Sequence, residues 1–126
     1  MGAKQTLDPN AKYEHALYWP EQMLDVIQQH ATRTDRSLSS IVQIAWKTQY
    51  PTIAASDRET LAAAHRGYTG AKRKQSLFYP GSMLKQFAEQ AKRLDSSESF
   101  VVQAAVALAM SELEKLPAVD EFTGEE

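Results

Sequence analysis

The sequence predicts a mainly α protein with a short two-stranded antiparallel β-ribbon. Two fused copies of one strand–helix–helix unit would form an intramolecular pseudo-dimer. Three observations carry this. At an offset of 60, residues 17–47 align with 77–107 without a gap, and twelve of the 31 positions are identical. Each copy opens on an alternating stretch that ends in an aromatic residue and a proline, "LYWPEQML" at Leu17 and "LFYPGSML" at Leu77. Two segments of helical periodicity follow each corner.

Residues 1–11 carry no periodic pattern and are expected to be a flexible N-terminus. The first repeat is assigned to residues 12–50. In "EHALYWP" (14–20) Leu17 and Trp19 share one face, the period-two signature of a half-buried strand. Proline has no N–H for a ladder and suits the start of a helix, so Pro20 is expected to close the strand. Met23, Leu24, Ile27 and Ala31 recur at helical spacing over about 21–34. Ser37 is a candidate N-cap for a second helix carrying Ile41, Val42, Ile44, Ala45 and Trp46.

Residues 51–71 read as a linker. "SDRE" (56–59) has the spacing of a capping box, and Gly67 a plausible stop, which predicts a short helix over about 57–66. The second repeat is assigned to 72–116: the strand "KQSLFYP" (74–80), a helix over 81–94 with Met83, Leu84, Phe87, Ala91 and Leu94, then a helix capped by Ser97. That last helix is apolar on nearly every side and is expected nearest the centre. Residues 117–126 are expected to be an acidic disordered tail.

One copy alone is too small to bury an adequate core, and its strand would be unpaired on both edges. Pairing the two strands about a pseudo-two-fold axis removes both problems and sends Leu17, Trp19, Leu77 and Tyr79 into a shared core.

Composition narrows the function. Hydrophobic residues make up 43% and there is no cysteine, which excludes a disulfide framework and a thiolate metal site. The net charge of −2 hides an uneven distribution. Residues 72–110 hold six basic and three acidic groups, whereas 111–126 hold one basic and six acidic. The three histidines share no ligand spacing, "GYTGAK" lacks the phosphate-loop spacing, and no nucleophile–base set is recognisable. Neither enzymatic activity nor a metal or other cofactor is expected. With no membrane-length apolar run and no secretory signal, a cytoplasmic protein is expected.

The strand-then-"WP" junction, the "ML" that opens the first helix and the "DRSLSS" between helices resemble the ribbon-helix-helix family, the Arc/MetJ type of bacterial DNA-binding regulator. The resemblance covers about 12–49 and 72–115. It implies double-stranded DNA as partner, with the ribbon in the major groove. On that reading Glu14, Ala16 and Tyr18 from the first strand and Lys74, Ser76 and Phe78 from the second face the bases. Lys74 would donate to guanine, Glu14 would accept from cytosine N4, and the two rings would touch thymine methyls or sugars. Phosphates would be held by Lys72, Arg73 and Arg36 and by the second helices' N-termini, at Ser37, Leu38 and Ser39 and at Ser97 and Ser99. "EHA" and "KQS" give the ribbon unlike halves, so an asymmetric DNA site is expected. The first copy is either partly degenerate or reads a different half-site.

The expected role is that of a transcription regulator or nucleoid-associated protein. Two alternatives are a ribbon-helix-helix protein-interaction module that has lost DNA binding, self-association included, and a sensor of a small anionic nucleotide on the ribbon face.

Overall fold

The computed structural model describes residues 7–119. These form β1 (Lys12–Pro20), α1 (Glu21–Thr34), α2 (Leu38–Ala55), α3 (Arg58–Ala64), β2 (Lys72–Pro80), α4 (Gly81–Arg93), α5 (Glu98–Leu108) and α6 (Met110–Lys115). The described chain is thus mainly helical with one two-stranded antiparallel sheet, and none of its helices is long and apolar enough to cross a membrane.

The register sets Ala16 opposite Ser76, Tyr18 opposite Lys74 and Glu14 opposite Phe78. Strand alternation then sorts the side chains by face. Leu17, Trp19, Leu77 and Tyr79 are buried, as the alternation predicts, while Tyr18 and Phe78 are each 50% exposed. Burial drives the Tyr79 phenol strongly upward, so it stays neutral in the core. Below the ribbon α2 packs on α5, and Val101 to Val106 of α5 are all buried, which makes α5 the central helix. Trp46 of α2 is fully buried, edge-on to Phe87 with ring centroids 4.8 Å apart. Its indole N–H donates to the Gln86 carbonyl oxygen at 2.7 Å.

The helix starts follow from local chemistry. Pro20 and Pro80 each end a strand with φ −62° and carry no side-chain cap. The first amides of α1 instead donate to the segment preceding β2, Glu21 to Ala71 and Gln22 to Thr69. Those of α4 donate to the segment preceding β1, Gly81 to Ala11 and Ser82 to Pro9. Residues 7–11 therefore belong to the folded body, not to a flexible arm, because they satisfy donors that α4 cannot satisfy itself. Their carbonyls approach so closely that a Cβ on Gly81 would collide with the Asp8 backbone. The rest of the expected flexible N-terminus, residues 1–6, lies outside the described residues.

Ser37 and Ser97 cap α2 and α5 as expected, accepting at 3.0 Å from the amides of Ser40 and Phe100. Ahead of each cap an aspartate, Asp35 or Asp95, takes the left-handed conformation. This lets the next amide, of Arg36 or Ser96, reach back to Ala31 or Ala91 at 2.9 Å.

Three helix boundaries also differ from expectation. The first repeat's second helix does not stop at residue 50 but runs through Pro51 to Ala55. Ile53 is fully buried in the core, while Lys47, whose carbonyl the proline leaves without a donor, is exposed and so within reach of water. Because α2 runs on, Ser56 becomes its terminus, with the hydroxyl donating to the Thr52 carbonyl. Asp57, not Ser56, then caps α3, accepting from Thr60 N–H at 2.8 Å. In the second copy the matching helix is divided at Ala109 into α5 and α6.

Arg33 and Arg93 prove to be long-range anchors. The Arg33 guanidinium donates to the Leu113 and Leu116 carbonyls at the end of α6, and Arg93 to those of Ile53 and Ser56 at the end of α2. The start of the expected tail is also placed. Arg36 donates to the Pro117 carbonyl at 2.6 Å, and Val119 N–H to Thr34 O. Residues 120–126 lie outside the described residues.

Arg33 also donates to Nδ1 of the buried His30, at 3.1 Å. Burial, reinforced by the Arg33 charge, holds this imidazole below its ordinary pKa, with Glu114 opposing weakly. The unfolded chain therefore takes up a proton that the folded chain refuses, and stability falls as pH drops through about 6.5. Thermal melts from about pH 7.5 to about pH 5.5 are expected to show wild type losing ground to His30→Gln as acid is added. A constant gap between the two would contradict this.

Candidate nucleic-acid interface

The even-numbered residues of both strands form the ribbon's outer face. Glu14, Ala16, Tyr18, Lys74, Ser76 and Phe78 share it, in the three facing pairs Glu14–Phe78, Ala16–Ser76 and Tyr18–Lys74. Facing Cβ atoms in such a ladder lie about 5 Å apart, so the six side chains make one continuous patch. Lys72 continues it past Lys74. Lys12, exposed opposite Pro80, continues it at the other end. Lys12 was missed in the sequence because the first strand was read only from Glu14, although the same offset of 60 pairs Lys12 with Lys72.

The two ends differ in charge. One carries Tyr18, Lys72 and Lys74. The other carries Phe78, Lys12 and Glu14. Arg73 falls on the opposite register from Lys72 and Lys74, and its guanidinium lies 3.8 Å from the Glu21 carboxylate at the start of α1. It flanks the patch and is not part of the outer face.

The second helices reach the ribbon by their N-terminal turns. The Tyr18 N–H donates to Ser99 Oγ at 2.9 Å, and Gln103 Nε2 donates to the Tyr18 carbonyl at 2.7 Å. At the other end the Phe78 N–H donates to Ser39 Oγ at 3.0 Å, and Gln43 Nε2 to the Phe78 carbonyl at 2.8 Å. Ser39 and Ser99 thus touch the strands directly, each keeping its own hydroxyl proton to donate. Ser37 and Ser97 are engaged as caps, with Leu38 following on the first turn of α2 and packing on the core. Glu98, the residue matching Leu38, accepts from or pairs with His15 Nε2 at 2.6 Å. Arg36 sits at the foot of α2 but is turned to Pro117.

The linker adds one element that has no counterpart among the described residues of the other half. His65, just past α3, stacks edge-on to Phe100 at 5.0 Å, and burial, before the Lys72 charge, lowers its pKa. An open cavity of about 490 Å³ lies there between His65, Phe100, Tyr18 and Lys72. No group of His, Asp and Glu among the described residues is placed to hold a metal ion.

Comparisons of the chain with protein-family models, with curated proteins and with solved structures find no match.

Proposed function

We propose that the chain is a single-chain pseudo-dimer of ribbon-helix-helix units that binds double-stranded DNA, its ribbon in the major groove, as a transcription regulator or nucleoid-associated protein. The observation that carries this is the outer ribbon face. It presents two half-exposed aromatic rings beside polar side chains, with Lys12 and Lys72 toward opposite ends. Exposed aromatic pairs mark binding surfaces, and terminal lysines suit flanking phosphates.

The pseudo-dimer reading is supported by the register. Ala16 and Ser76, which the offset of 60 makes equivalent, lie directly opposite each other. The strand clamps, the helix caps, the left-handed aspartates and the arginine anchors also recur in equivalent pairs. The unlike ends favour a non-palindromic site. Lys74 with Tyr18 would read one half and Glu14 with Phe78 the other.

Salt-dependent binding to duplexes from a random-site selection tests the reading. Lys72→Ala is expected to weaken binding to all sequences and to lower the salt slope by about one. Lys74→Ala is expected to relax base preference at one half-site, a loss of about 1–3 kcal/mol of discrimination. If the unaltered chain retains no duplex at physiological salt, DNA binding is excluded and the aromatic pair is left as a protein-docking patch.

A further inference from the structure

We propose that Ser99 with Gln103, and Ser39 with Gln43, are positioning residues that set the base preference of the ribbon. They do so by holding Tyr18 and Phe78 by their backbones. The inference deepens the DNA-binding reading and rests on it.

A two-stranded ribbon has two open edges, because each strand pairs on one side only. On the open side an extended residue presents its N–H and its C=O together, and unpaired they fray into water. Tyr18 and Phe78 lie two residues before the closing prolines, at the strand ends where fraying begins. At both residues both backbone groups are occupied. One helix supplies a hydroxyl acceptor for the N–H and, one turn later, an amide donor for the C=O, all four bonds between 2.7 and 3.0 Å. Serine and glutamine four apart lie on one helix face, which is the spacing this grip needs.

The grip also crosses the copies. α5 holds the strand of the first repeat, and α2 holds that of the second. With N–H and C=O both fixed to a core helix, the Cα–Cβ direction of each ring is set before any partner arrives. Pre-positioned contacts discriminate between partners because misfits cannot be relieved by movement. Gln103 is 4% exposed and so is out of reach of a ligand on the outer face; it acts only through Tyr18. This gives "SxxxQ" at Ser39 and Ser99 a task that a phosphate role leaves unexplained.

The test compares Gln103→Leu and Gln43→Leu, which keep the volume and lose the donor. Full-length variants are measured against the selected duplex, against duplexes changed in one half-site or the other, and against unrelated duplex. Gln103→Leu is expected to lower discrimination about tenfold at the Tyr18 half-site only, and Gln43→Leu at the Phe78 half-site only. Non-specific affinity should stay within about twofold. Amide exchange of the free protein should speed up at Tyr18 in the first variant and at Phe78 in the second. If Gln103→Leu does not fold, Ser99→Ala removes the other half of the same clamp and Ser99→Thr restores it. Equal weakening at both half-sites, or full discrimination in both variants, overturns the proposal while leaving DNA binding intact. An unaltered chain that binds no duplex overturns both.

Discussion

Cutting the chain between Arg66 and Gly67 is expected to leave two pieces that are each unfolded. Among the described residues β1 has its only ladder with β2, so either piece keeps a strand with no partner. The first amides of α1 lose Ala71 and Thr69, and those of α4 lose Ala11 and Pro9. Arg33 loses the end of α6 and Arg93 the end of α2. Every one of these partners lies across the cut. Pieces of about 60 residues are marginal even with all their contacts. Far-UV circular dichroism of each piece alone should show little helix, and mixing the two should restore it. A separately folded half would refute the interlocked account.

Trp46→Ala should be the most damaging single core truncation. The side chain is fully buried against Phe87 and Tyr50, and its N–H is matched to Gln86. Removing it opens a cavity and leaves the Gln86 carbonyl without its donor, at a cost of about 3–5 kcal/mol. Chemical denaturation should show the midpoint fall with little change in slope. Trp46→Phe should recover part of the loss, since it refills the space but not the hydrogen bond. A loss below about 1 kcal/mol would mean that the core collapses around the gap.

The parts of the fold legible in the sequence were those written locally. A proline after alternating residues ends a strand, and a serine before an apolar run caps a helix. The face of the ribbon was legible for the same reason, since alternation alone puts Tyr18 and Phe78 outside and Trp19 and Tyr79 inside. What escaped depends on which segments meet. Nothing local in the sequence marks Arg33 and Arg93 as anchors, and only the packing reveals the carbonyls they hold on other helices. Pro51 opens the stretch read as a linker, yet α2 runs through it to bury Ile53. Arg73 sits between Lys72 and Lys74 in a run of three basic residues, yet strand alternation sends it the other way, to Glu21. Residues 7–11 have no pattern of their own because their task, accepting from the start of α4, is done by backbone.

The centre of the ribbon has one more consequence. In an assembly of two identical chains, the residue at the axis would meet its own copy, and any change there would be made twice. Here Ala16 meets Ser76 instead. Each position on the face can therefore vary alone. Mutational drift in one strand need not be mirrored in the other.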